Sequence, residues 1–182
     1  MKKVIVLILV AAILVVGGVL VLKSKKPTSQ GPSPVQPSNQ VNRLQGEINV
    51  CELFPKEKIS QFLGKEITKA EVATSKINPE PSCYYYIGTK TVYLELNQKD
   101  NINEQINGWK ALGSTAKEEP QIPLKNFVVY TQEEKVRRIY LIIDEKTFLT
   151  IDNWGLGLSK DEELSFASKL ADYLKGEFGV NN

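Results

Sequence analysis

Residues 4 to 22, VIVLILVAAILVVGGVLVL, are nineteen consecutive positions that carry no charge and no hydrogen-bonding side chain. As an α-helix the run is about 28 Å long, enough to cross a hydrocarbon core, so residues 1–22 are expected to form a transmembrane anchor. Met-Lys-Lys before an apolar run also opens a secretory signal peptide, with Val16-Gly17-Gly18 as a weak cleavage site. The run is longer than an ordinary signal core, has no Ala-x-Ala and stays apolar to Leu22, which favours an uncleaved anchor. It holds no acidic residue and no Gly followed by Phe-Thr, which separates it from pilin-like N-termini.

Residues 23–46 contain four of the nine prolines among Ser, Gln, Asn and Gly. That composition buries too little apolar surface to fold and reads as an extracytoplasmic linker, spanning about 25 to 30 Å as a coil and about 75 Å as extended polyproline II. Residues 47–182 remain as the globular domain.

Charge divides the chain at the same place. All 21 acidic residues lie at Glu47 or beyond, together with 17 basic ones, so the net +2 of the whole chain belongs to the N-terminal arm. A mildly acidic domain matches a phosphate backbone poorly, and no nucleic-acid partner is expected. The arm's lysines are nearly balanced across the apolar run and set no orientation. The chain also has no histidine. This removes the commonest general base and metal ligand and every Ser/His or Cys/His dyad, so no metal site and no cofactor are expected.

Cys51 and Cys83 are the two cysteines. They are either two free thiols or one disulfide, and an even count in a membrane-tethered domain favours the bridge. A bridge requires an oxidising compartment, which places the N-terminus in the cytoplasm and the domain outside the cell membrane, single-pass.

Three helices are predicted: Pro55 to Leu63 with Gly64 as stop, Ile102 to about Leu112 with Gly113 closing it, and a third opening at Ser159. In the third, Ser159 and Glu162 form a capping box ahead of apolar residues at helical spacing. Strand-like runs fall at Ile67 to Thr74, Cys83 to Ile87, Thr91 to Asn97, Phe127 to Thr131, Val136 to Asp144 and Thr147 to Asn153. The order α-βββ-α-βββ-α predicts an α+β domain, an antiparallel sheet of about six strands with helices packed on one face. Each half pairs a helix ending in Leu-Gly with a hairpin, without the residue-level periodicity of a true repeat.

Cys51-Glu52-Leu53-Phe54-Pro55, then Phe62-Leu63-Gly64, then Cys83-Tyr84-Tyr85 resembles a family of secreted or lipid-anchored bacterial envelope proteins of unknown function, best populated among actinobacteria. Their pattern is Cys-x-Leu-Leu, a helix ending in Leu-Gly, and about twenty residues later Cys and an aromatic. The extracellular sensor domains of some bacterial Ser/Thr kinases look broadly similar. The resemblance covers mainly residues 51–95 and implies a Cys51–Cys83 bridge and an extracytoplasmic α+β domain; it brings no catalytic residues. This chain departs from the pattern in having no lipid-bearing cysteine.

Three motifs carry weak chemistry. Ser114-Thr115-Ala116-Lys117 matches the Ser-x-x-Lys of penicillin-binding enzymes, but about one such match is expected by chance and the partner motifs are absent. Gly155-Leu156-Gly157 lacks the remainder of a phosphate-binding loop and reads as a turn. Asp144, Glu145 and Asp152 fall in the final hairpin and are the carboxylates of an alternative reading, an anchored envelope hydrolase.

Strand parity singles out a stronger candidate. If Cys83 faces the core, Tyr85 and Ile87 follow it and Tyr84 and Tyr86 face the other way. Burying Val92, Leu94 and Leu96 leaves Tyr93 and Glu95 beside them, and burying Ile139, Leu141 and Ile143 turns Arg138 and Tyr140 outward, with Tyr130 joining if the register allows. The expected result is a helix-free face of Tyr84, Tyr86, Tyr93, Tyr130, Arg138 and Tyr140, a composition common at recognition surfaces. The function expected is non-catalytic: an extracytoplasmic binding or interaction domain that meets the membrane through residues 4–22 and takes an envelope protein or a glycan ligand. A structural assembly component is the third reading.

Overall fold

The computed structural model describes residues 48–73, 80–98 and 100–180. The expected anchor and linker lie outside the described residues. Among the described residues no helix is long and apolar enough to cross a membrane.

The chain enters through two short helices, α1 (Val50–Leu53) and α2 (Lys56–Leu63). Asn49 caps the first by accepting from the Cys51 amide, and Pro55 separates the two because the residue before a proline is pushed out of helical geometry. A hairpin-rich stretch follows: β1 (Lys69–Val72), β2 (Ser82–Ile87) and β3 (Lys90–Asn97). Helix α3 (Ile102–Ala111) leads to β4 (Thr115–Lys117), β5 (Asn126–Tyr130), β6 (Val136–Ile142) and β7 (Phe148–Trp154), and α4 (Lys160–Phe178) closes the fold.

The domain is α+β, as expected, but with seven strands and four helices among the described residues. All neighbouring strands are antiparallel, in the order β1-β2-β3-β7-β6-β5-β4. Two elements carry no sequence signal. The four residues of α1 make a single turn, and the three of β4 are too few to show alternation, so β4 exists only because β5 offers it an edge.

The main core lies on one sheet face. Cys83, Tyr85, Val92, Leu94, Leu96, Ile139, Leu141, Leu149 and Ile151 meet Phe54, Ile59, Leu164, Ala167, Leu170 and Leu174 there, all buried. Helix α4 supplies most of the cover, and its predicted capping box is present: Ser159 and Glu162 each accept from the other's backbone amide. Helix α1 is tied to β2 twice, by the Cys51–Cys83 disulfide and by the Tyr85 hydroxyl, which donates to the Phe54 carbonyl at 2.7 Å.

The helices do not all pack on one face. Ile102 and Trp109 of α3 pack with Val129, Tyr140, Ile142 and Phe148 in a second, smaller cluster on the opposite side. Those strand residues alternate with the main core, so the β4–β7 half of the sheet is apolar on both faces and needs two covers.

Candidate functional site

The register of β3 against β7 builds the site. On the face away from α4, one row across the sheet runs Tyr84, Tyr93, Asp152, because Tyr84 pairs with Tyr93 and Tyr93 with Asp152. The row below runs Ser82, Glu95, Thr150, Tyr140 by the same pairings. Residues 55 or more apart in sequence, such as Glu95 and Thr150 or Tyr93 and Asp152, become neighbours once the two hairpins join.

Two of these rows' carboxylates are buried, Glu95 at 8% exposure and Asp152 at 2%. A buried charge is costly unless paired and hydrogen-bonded, and each is held. Arg138 donates to both oxygens of Asp152, Nε to Oδ1 at 2.7 Å and Nη2 to Oδ2 at 2.5 Å. Burial opposes the Arg138 charge, but the bonds to Asp152 and its charge outweigh it and leave the guanidinium more firmly protonated than usual. The Tyr93 hydroxyl donates to Glu95 Oε2 at 2.5 Å. Burial nevertheless pushes the Glu95 carboxyl above its ordinary range, against the Tyr93 bond and the Arg138 charge, and burial with that same bond raises the Tyr93 phenol.

Around these groups opens a groove of about 380 Å³, within the size range of small-molecule sites. Tyr84 and Tyr93 form one wall with ring centroids 4.9 Å apart. Asp100, which accepts from the side chains of Asn97 and Gln105, closes another side beside α3. Tyr140 packs edge-on against Phe148 at 5.6 Å and accepts from Trp109 Nε1 at 2.7 Å. Trp109 in turn lies under the guanidinium groups of Arg137 and Arg138, at 4.6 and 5.1 Å.

The predicted face is thus partly assembled. Tyr84, Tyr93, Arg138 and Tyr140 line one groove. Tyr86 stands beside it, its ring 6.4 Å from Tyr84 and under the Lys69 ammonium, without lining it. Tyr130 does not join: it lies in the main core with Val128, donates to Glu119 Oε1 at 2.5 Å and carries Lys117 and Lys160 over its ring. The β5 register sets Val129 opposite Arg138, and the next residue necessarily turns to the other face. The face is also not helix-free, since α3 covers its β4–β7 side.

Sequence reasoning missed Asn97, Asp100, Gln105 and Thr150, whose signal was only parity on β3 and β7 and proximity to the α3 cap. The hydrolase carboxylates do not cluster. Asp144 accepts from the Lys146 and Thr147 amides in the hairpin turn and Glu145 is exposed, whereas Asp152 lies toward the far end of β7. Ser114 is buried and Lys117 pairs with Glu119. Gly155 and Gly157 both take positive φ, the backbone of a turn that delivers Ser159 to its cap.

Comparison with protein-family models, with curated proteins and with solved structures finds no match to this chain.

Proposed function

We propose that this is a membrane-anchored, extracytoplasmic binding domain of the bacterial cell envelope, non-catalytic, which captures its ligand in the groove between the Tyr84–Tyr93 wall and α3. The observation that carries this reading is the pair of buried carboxylates, Glu95 and Asp152, facing an open groove on the side of the sheet that the main core does not use. A second apolar cluster already stabilises that side, so folding alone gives no reason to desolvate charge there.

Binding is favoured over hydrolysis because Asp152 is committed through both oxygens to Arg138, which leaves it poorly placed as a nucleophile or base. The disulfide and the resemblance at residues 51–95 support the extracytoplasmic location.

The test is photocrosslinking in native membranes. A crosslinking amino acid in place of Tyr84 should capture a specific adduct, and the same group in place of the exposed Gln61, on a helix against the other sheet face, should not. Equal capture at both positions, or capture at Gln61 alone, overturns the groove as the site.

A further inference from the structure

The groove's charge and its aromatic wall together define what fits it. Its lining contains three carboxylates, Glu95, Asp100 and Asp152, against one guanidinium, Arg138. Arg138 is bonded to Asp152 through both oxygens and its charge also reaches Glu95, so one cation faces three carboxylates and the lining keeps an excess of acidic groups. Tyr84 and Tyr93 stand next to Glu95 with tilted rings, and tyrosine faces attract cations. The domain uses the same attraction within itself, where Trp109 holds Arg137 and Arg138 and Tyr130 holds Lys117 and Lys160.

We infer that the groove recognises a primary ammonium group, of the kind carried by a lysyl side chain, seated against the Tyr84–Tyr93 wall with Glu95 as its counter-charge. This deepens the binding reading above and rests on it. The Tyr93 hydroxyl bond fixes the Glu95 carboxylate in place before the ligand arrives, which spares the complex part of the ordering cost. A metal ion is a weaker fit, because among the described residues no three His, Cys, Asp or Glu side chains are grouped to hold one. A neutral sugar would stack on the tyrosines without answering the excess of carboxylates over guanidinium in the lining.

The full-length chain in detergent micelles is titrated with Nα-acetyl-lysine methylamide and with glucosamine, each also in its amine-acetylated form, and followed by calorimetry and by NMR of labelled tyrosines. The expected result is saturable shifts at Tyr84 and Tyr93 with at least one of the two amines, lost on acetylation; which amine binds distinguishes a peptide from an amino-sugar source. Glu95→Gln keeps an acceptor for Tyr93 and should weaken binding at least about tenfold, while Asp144→Asn, in the distant hairpin turn, should leave it unchanged. Binding of N-acetylglucosamine as tight as that of glucosamine, or no shift with either amine, overturns the inference. In both cases a Tyr84 crosslink that persists would still uphold the groove as a site, so the two readings fail separately.

Discussion

Arg138 and Asp152 meet fork to fork on the face of the sheet opposite α4, with the Asp152 side chain 3% exposed and the Arg138 side chain 26% exposed. The pair lies within the β6–β7 hairpin, one step along from the Ile139–Ile151 pairing, and Asp152 also stands opposite Tyr93 across the seam of β3 and β7. It therefore stands between the tyrosine wall and the Trp109 cluster, and its geometry depends on both halves of the sheet.

Removing one partner strands a buried charge. Arg138→Met should cost about 3 to 5 kcal/mol, read from chemical unfolding of the full chain. The double change Arg138→Met with Asp152→Leu should recover most of that loss, since an apolar pair of similar volume is often neutral. A double variant no more stable than the single one would mean that the pair's worth lies in its own attraction rather than in avoiding an unpaired carboxylate.

Tyr86 and Tyr140 alternate outward by the same parity but should respond differently. Tyr140 is 1% exposed, packs on Phe148 and accepts the Trp109 bond, so Tyr140→Ser should cost about 3 to 5 kcal/mol, as for other large buried aromatics. Tyr86 is partly exposed beside Lys69, and Tyr86→Ser should stay within about 1 kcal/mol in the same unfolding measurement. Equal losses would mean that Tyr140 is not the anchor of the second cluster.

This difference marks how far the sequence could be read. Alternation alone assigns Cys83, Tyr85, Val92, Leu94 and Leu96 to the core and Tyr84, Tyr86 and Tyr93 to the other face, because period two is a local property of a strand. What alternation does not contain is register between strands distant in the chain. The pairing of Tyr93 with Asp152 joins β3 to β7 across some sixty residues, and no turn chemistry fixes it. The amphipathic stripe of α3 was equally legible, but a stripe does not say which sheet face it will cover, so the groove's α3 side was not foreseeable. Tyr130 failed for a related reason: the face shown by β5 depends on its register with β6, which shifts between Val129 and Tyr130.

The Cys51–Cys83 bridge closes a loop of 32 residues and fastens a helix of only four residues to the sheet. Replacing both cysteines by serine should lower stability by about 3 to 4 kcal/mol in the chain-entropy model. Alkylation under denaturing, non-reducing conditions should add no mass to the native chain and two alkyl groups after reduction. Labelling without reductant would remove both the bridge and the main structural argument for an oxidising compartment.

Glu163, in the first turn of α4, gives the domain a pH dependence whose sign can be worked out. It is half-buried and accepts from Asn153 Nδ2 at 2.6 Å. Burial raises its carboxyl from 4.5 to about 7, with the Asn153 bond opposing and the neighbouring Glu162 charge adding to the rise. Between those two values the folded chain keeps a proton that the unfolded chain has released, so the folded state is favoured at low pH. The contribution is complete below about 4.5 and is lost as pH rises through about 7. Glu163→Gln fixes the neutral form while preserving an acceptor for Asn153. Glu95 titrates in the same sense but is common to both proteins, so the difference between them isolates Glu163. Thermal melts of the two chains should therefore run closest at low pH and diverge as pH rises, with Glu163→Gln melting higher above about 7; curves that stay parallel across this range would show that the carboxyl is solvated in the folded chain and that the first turn of α4 does not bury it.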